Sequence, residues 1–394
     1  MTLLSADSFS ALNVARYRIR LRALESARWP AFAGSALRGA FGHALKSAVC
    51  VMPHRECHRC LVSSRCIYPN TFEPAFPAHL HEWKSEANAP VPYVLDPPVY
   101  QQRTVESVPA TTEPASIAEP IAAAPNAPRR QSKWEQHHPL AAGEEIHFGL
   151  TLIGPAIEHL PFIVLAIHEM TQRGIGAPQS ADRAHQPTVG KGLSEHVSSP
   201  TVRKGLPKRP QFALAEVAEL DLHHQYRTLY TESDQRLESS AAATPTLGQW
   251  VAARLAELPA SESVRVRFVT PTRIKVDDDL QPRADFQLLA RNLLRRVSML
   301  TAIYGGQKLE LDYARILAVA ADIRTAESAL RWWDWRRYSA RQQTPMKMGG
   351  FVGHAEFTGP LLAELLPLLA AGEILRIGKG TSFGLGKFQI EPAA

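Results

Sequence analysis

All four cysteines of the chain, Cys50, Cys57, Cys60 and Cys66, fall within seventeen residues, separated by six, two and five others. In a reducing compartment, thiols clustered in this way are metal ligands more often than disulfides. A tight central CxxC with two outer thiols can close a tetrahedral site on Zn2+, leaving no open position for water, so the expected role is structural. Four thiolates also serve iron–sulfur clusters, and reduced, unligated thiols are the third alternative. Just upstream, Ala36, Leu37, Ala40, Phe41, Ala44, Leu45 and Ala48 recur at helical spacing. At about 100° per residue, His43 falls on one margin of that stripe and Arg38 on the other, with Lys46 one turn from His43. A half-exposed histidine beside a lysine can act as general acid or base at neutral pH; otherwise His43 caps the edge of the core. Arg38 is the alternative, offering a fixed positive charge in place of proton transfer, and Tyr17 is a weaker one.

Near the C-terminus, Gly378-Lys379-Gly380 and Gly384-Leu385-Gly386 flank Thr381 and Ser382, with Lys387 following. Glycines let backbone N–H groups approach an anion without hindrance from a Cβ. No Gly-Lys-Ser/Thr at P-loop spacing is present, so the expected ligand is a polymer's phosphate and not a nucleoside triphosphate.

The elements that position these residues come in two halves. A strand is expected over 13–24, a helix over 33–49, a strand over 145–153, a helix over 155–172 and a strand over 212–222. The second half repeats the order: a short helix at 247–258, a strand at 264–269, an amphipathic helix at 286–304, strands near 316–323 and 350–357, a helix at 361–371 and a last strand at 388–391. Each half approximates β-α-β-β-α-β, so the expected fold is α+β, two tandem ferredoxin-like (RRM-like) domains over 1–230 and 240–394 with a four-cysteine metal-binding insertion at 50–66. Two further segments read as flexible insertions: the Ala/Pro-rich 101–143 and the Gly/Pro-rich 174–210, which carries six basic residues against Asp182 and Glu195. The second is a solvated loop or a basic flap over a bound polymer.

Composition limits the function. The formal net charge is +6, and 33 of 44 basic residues are arginine, whose planar fork suits phosphate. A GC-rich genome raises arginine equally. With 45% apolar residues a core can form, yet no stretch approaches the ~20 apolar residues of a membrane helix. The first twenty residues lack a signal peptide's apolar h-region, so cytoplasm is the expected compartment. No recognition helix with base-reading residues is evident, which disfavours a zinc-dependent DNA-binding regulator.

The most specific text is a series of separated motifs: FVTPTRIK at 268–275, RRVSMLTAIYG at 295–305, WWDWRRYS at 332–339, MKMGGFVGHAEFTG at 346–359 and GEILRIGKGTSFGLGKFQIE at 372–391. In this order they resemble the RAMP superfamily of CRISPR proteins, specifically its endoribonucleases that process precursor CRISPR RNA. ALRGAFGHALKSAVC at 36–50 is similar to the first helix of bacterial members. The glycine loop departs from the family by its short spacing and by Lys379 inside the first Gly-x-Gly pair. The resemblance implies metal-independent cleavage within the CRISPR repeat by the RNA's own 2′-hydroxyl, leaving a 2′,3′-cyclic phosphate. It implies His43 as the proton-transfer group, with Arg38 or Lys46 neutralising charge on the phosphorane. RNA is then expected along Arg16, Arg18, Arg336, Arg337, the loop of Gly378, Lys379, Gly380, Gly384 and Gly386, and Lys387. Repeat RNA and mature crRNA are the implied partners, with other CRISPR effector subunits possible. The alternative is a non-catalytic RAMP subunit that only holds crRNA in an effector complex.

Overall fold

In Val14–Ala23 (β1), Tyr17, Ile19, Leu21 and Ala23 are buried while Arg16, Arg18, Arg20 and Arg22 lie on the opposite face. This period of two is that of a half-buried strand. The computed structural model describes residues 3–30, 32–52, 56–83, 89–98, 137–175, 177–178, 209–240, 243–259, 261–334, 336–339 and 344–393.

After β1 the chain forms α1 (Gly34–Val49), β2 (Tyr93–Asp96), β3 (Glu145–Ile153), α2 (Leu160–Arg173), β4 (Phe212–Leu220) and β5 (Tyr226–Thr231). The five strands make one antiparallel sheet in the order β2-β3-β1-β4-β5. Leu37, Phe41, Ala44 and Leu45 of α1 and Ile163, Ala166, Ile167 and Met170 of α2 share a core with its inner face.

The second half runs α3 (Leu247–Glu257), β6 (Ser263–Thr272), α4 (Phe286–Tyr304), α5 (Tyr313–Asp322), β7 (Arg324–Trp333), the hairpin β8 (Arg336–Ser339) and β9 (Thr344–Lys347), β10 (Gly350–Thr358), α6 (Leu362–Leu375) and β11 (Phe388–Pro392). Helix starts are locally encoded. Thr246 and Gln249 form a capping box at α3, and Asp285 accepts the Leu288 N–H at α4. The main sheet is again antiparallel, in the order β7-β10-β6-β11. In both halves the unit's second strand is outermost, followed by the third, first and fourth. This is the ferredoxin-like order, so the fold is a tandem of two such units with β5 added at one edge.

Three expectations are corrected or narrowed. The segment 316–323 is not a strand but the body of α5: Asp312 caps it by accepting the Arg315 N–H, and Ile316 and Ala320 are buried four residues apart. The strand follows at β7, whose residues from Arg324 to Ala329 are all exposed at the sheet edge. Leu4, Phe9 and Leu12 pack in the second core, so the residues before β1 belong with the C-terminal unit. Most of 101–143 and 174–210 lies outside the described residues.

Two glycines of α1 make opposite predictions. A Cβ on Gly34 would lie 1.8 Å from the Phe383 carbonyl oxygen, whereas one on Gly39 would have nothing within 4 Å. Gly39→Ala is expected to raise unfolding stability by ~0.5–1 kcal/mol. Gly34→Ala should lower it by ~1–3 kcal/mol, since backbone must shift. Urea denaturation of the two variants checks both signs.

Candidate active site and nucleic-acid groove

The glycine loop follows α6. Gly378, Gly380, Gly384 and Gly386 all have φ between 72° and 83°, in the left-handed region. A Cβ on Gly386 would sit 1.8 Å from the Ile377 oxygen, and one on Gly378 would sit 2.4 Å from the Arg273 oxygen. The N–H groups of Lys379, Phe383, Gly384, Leu385 and Gly386 donate to carbonyls of Arg273, Gly380, Thr381, Gly380 and Pro271. Of the loop residues expected to contact RNA, Lys379, Gly384 and Gly386 therefore have their backbone donors taken up by the loop itself and by residues 271–273 at the end of β6. Lys379 remains exposed at the loop's surface.

The loop's outer turn receives α1. Arg38 Nε donates to Ser382 Oγ at 3.1 Å, and its guanidinium lies 4.6 Å from the Phe383 ring centroid and 5.4 Å from that of Phe72. Tyr93 of β2 is buried beside this pair. Burial drives its hydroxyl pKa up to about 12, opposed by the Arg38 charge and by the polar groups of Arg38 and Ser382 beside it. Among the described residues Arg38 has no carboxylate partner, so a fixed, half-buried positive charge faces the junction. His43 lies five residues further along α1, about 7.5 Å along the axis, and is exposed. Tyr17 is instead a core residue, 4% exposed, with its hydroxyl pKa pushed far up by burial and then by Glu219.

Lys46 lies eight residues beyond Arg38 near the end of α1, and the ring it packs on, Tyr68, stacks on Phe72. Its Nζ lies 4.9 Å from the Tyr68 ring centroid and beside Cys57, in a pocket that Cys50, Cys57, Cys60 and Cys66 also line. None of the four cysteines forms a disulfide. Cys57 and Cys66 each bound a one-turn 3-10 segment, with the Cys60 N–H donating to the Cys57 oxygen and the Cys66 N–H to the Ser63 oxygen. Among the described residues the sulfurs share this pocket without closing on a common ligating centre.

The other cations gather at the junction of the two sheets. Asp96 Oδ2 accepts from Lys387 Nζ at 2.9 Å and pairs with Arg376 Nη2 at 3.1 Å, while Oδ1 is buried with no hydrogen-bond partner among the described residues. Burial alone would raise the Asp96 pKa; Arg376, Lys387 and Arg16 outweigh it and hold the group below the ordinary carboxylate range. Arg16 sits 5.1 Å from the Trp250 ring centroid, its pKa lowered by burial and then by the Arg376 charge. Arg376 itself has φ +66° and a side chain 5% exposed. The structure thus brings Arg16 and Lys387 together. Arg18 is partly committed to Glu216 at 3.1 Å and to the Tyr226 ring. Arg336 and Arg337 lie on β8, and their side chains fall outside the described residues. Sequence reasoning missed Tyr93, Asp96, Arg376 and Tyr226, because each matters through a contact far away in the chain.

Residues 12–242 match the AF_1859_N family model of an N-terminal domain, and residues 266–388 match that of the CRISPR-associated endoribonuclease Cas6. The C-terminal unit belongs to the Cas6 endoribonuclease family. Similar solved structures include a Cas6 product complex (15% identity, 96% of this chain and 99% of that chain, TM-score 0.45). Thermus thermophilus Cas6 aligns at 15% identity over 96% and 99% of the two chains, with a TM-score of 0.43. A partial Cas6-RT-Cas1–Cas2 complex aligns at 12% identity over 99% of this chain and 47% of that chain, with a TM-score of 0.48. No curated protein sequence matches this chain. Among the described residues no helix is long and apolar enough to cross a membrane.

The Asp96 hub predicts an acid response. Its stabilising contribution is full above the unfolded carboxylate value near pH 4 and is lost as pH falls through the lower folded value. Asp96→Asn is expected to cost more than the ~1 kcal/mol of an exposed pair but less than the ~3–5 kcal/mol of a fully buried one. In thermal melts between pH 7 and 2.5, the gap between wild type and variant should close only below about pH 4.

Proposed function

We propose that the protein cleaves precursor CRISPR RNA within its repeats without a catalytic metal. The observation that carries the reading is the meeting of α1 with the glycine loop, where Ser382 and Phe383 hold Arg38 with no carboxylate against it among the described residues. At the scissile bond the upstream 2′-oxygen forms a bond to phosphorus, its proton leaves, and the P–O5′ bond breaks with the 5′-oxygen taking a proton. The products are a 2′,3′-cyclic phosphate and a 5′-hydroxyl. His43 transfers one of these protons, and Arg38 offsets the charge that builds on the phosphorane, an electrostatic role that preorganised donors perform best. Lys46 lies beside Cys57, so its part is to orient the C-terminal turn of α1. The RNA follows the cations from Lys379 and Lys387 to Arg16 and Arg18, with Arg336 and Arg337 on the neighbouring hairpin.

A repeat RNA carrying a 2′-deoxy nucleotide just upstream of the cut should bind normally and resist cleavage. His43→Ala should lose about 10²–10⁴-fold in single-turnover rate, the span for one general acid or base. Cleavage of the 2′-deoxy RNA at the same bond rejects the mechanism. Binding of repeat RNA with no cleavage by wild type would instead favour a non-catalytic crRNA-holding subunit.

We also propose one structural Zn2+ per chain on Cys50, Cys57, Cys60 and Cys66. The chemistry of the donor set supports it: one cysteine at the end of α1 and three on two tight turns line a single pocket. Bound zinc would supply cross-linking of α1's end to the following turns, not Lewis acidity. Elemental analysis should find one zinc per chain, and Cys57→Ser should lower the melting temperature. A brown iron chromophore or metal-free protein of unchanged stability contradicts the assignment.

A further inference from the structure

From the Asp96 hub a groove of about 480 Å3 continues over the open face of the N-terminal sheet, past Arg18, His147, Arg267 and Tyr226. Arg16, Arg376 and Lys387 line its inner end. Tyr226 is the first residue of β5, the strand added to the ferredoxin-like order, and 47% of its surface is exposed. The Arg18 guanidinium carbon lies 3.9 Å from its ring centroid, and Glu216 Oε2 accepts from Arg18 at 3.1 Å. The arginine beneath the ring is therefore held in place by a third residue. Elsewhere on these two sheets arginines are matched to carboxylates: Arg20 to Glu145, Arg22 to Glu232, Arg265 to Glu356 and Arg267 to Glu391. Arg18 follows the same pattern with Glu216, and Tyr226 adds to it an exposed aromatic surface inside the groove.

We propose that Tyr226, backed by Arg18, is a platform on which one unpaired base of the bound RNA stacks, with the flanking phosphates carried by the groove's cations. The proposal rests on the RNA-processing reading above and adds to it a residue and a ligand class: a single-stranded nucleotide. An aromatic face takes any base, and the backbone charge is met separately, which is how proteins hold unpaired RNA. A paired base would offer no face to the ring. The platform therefore contributes affinity for a single-stranded stretch of the repeat, with little preference for which base it carries.

The test uses the full chain and a repeat RNA made uncleavable by 2′-deoxy substitution, with 2-aminopurine placed in turn at each unpaired position. At one position wild-type protein should quench the fluorescence on binding. Tyr226→Ala and Tyr226→Leu should abolish that quench and weaken binding by about 5- to 100-fold. Both should leave the slope of log K against log salt unchanged, because no phosphate contact is lost. Tyr226→Trp should retain quench and affinity. If both truncations bind as wild type does, or no position is quenched, the platform is rejected while the processing reading stands on wild-type binding and cleavage. If wild-type protein binds repeat and scrambled RNA equally, the reading it rests on fails as well.

Discussion

The backbone contact between α1 and the glycine loop is the constraint on which the rest of the site depends. Arg38 and Ser382 are 344 residues apart, yet their side chains share a hydrogen bond. That approach requires the absence of a side chain at Gly34, where a Cβ would collide with the Phe383 oxygen, and a turn of left-handed glycines behind Ser382. A small separate core of Phe32, Trp333, Met348, Val352 and Leu385 lies under the junction and joins the two units there. The glycines therefore act indirectly. They shape the surface that fixes one guanidinium, and preorganised charge is the most effective electrostatic aid to a phosphorane.

Charge is distributed to match. Along the sheet faces, arginines are balanced by glutamates at close range, which neutralises them and leaves modest net attraction for a polyanion. At the domain junction the balance fails: Asp96 holds Arg376 and Lys387, with Arg16 close by, while Glu373 is taken by Arg254. Burial lowers the pKa of Arg296 to about 10 in the same region, with the Arg376 charge adding to it. The fold thus accumulates positive charge where the two units meet, at the inner end of the groove, and field lines concentrate in such low-dielectric clefts.

Much of the fold was legible because the chain is locally consistent. The amphipathic pattern of 286–304 matches α4 residue for residue, and the alternation at 145–153 matches β3. The region 316–323 misled because its apolar residues suit either period, while the true strand β7 is an exposed edge with no alternation to detect. β2 escaped notice because four residues carry little pattern, yet it supplies Tyr93 and Asp96. The candidate helix with His43 and Arg38 could be read from spacing. The partners that give Arg38 its role could not, since long-range contact leaves no periodic trace in one sequence. Lys46 illustrates the same limit: helical spacing placed it one turn from His43, and the cysteine pocket claims it.

If the α1–loop junction positions the catalytic charge, Ser382 acts only through Arg38. A double-mutant cycle on single-turnover cleavage of repeat RNA measures that dependence directly. The account predicts that Ser382→Ala slows cleavage in the wild-type background while leaving RNA affinity unchanged, and has no further effect once Arg38 is alanine. Additive losses from Ser382→Ala and Arg38→Ala, or normal cleavage by both variants, would contradict it.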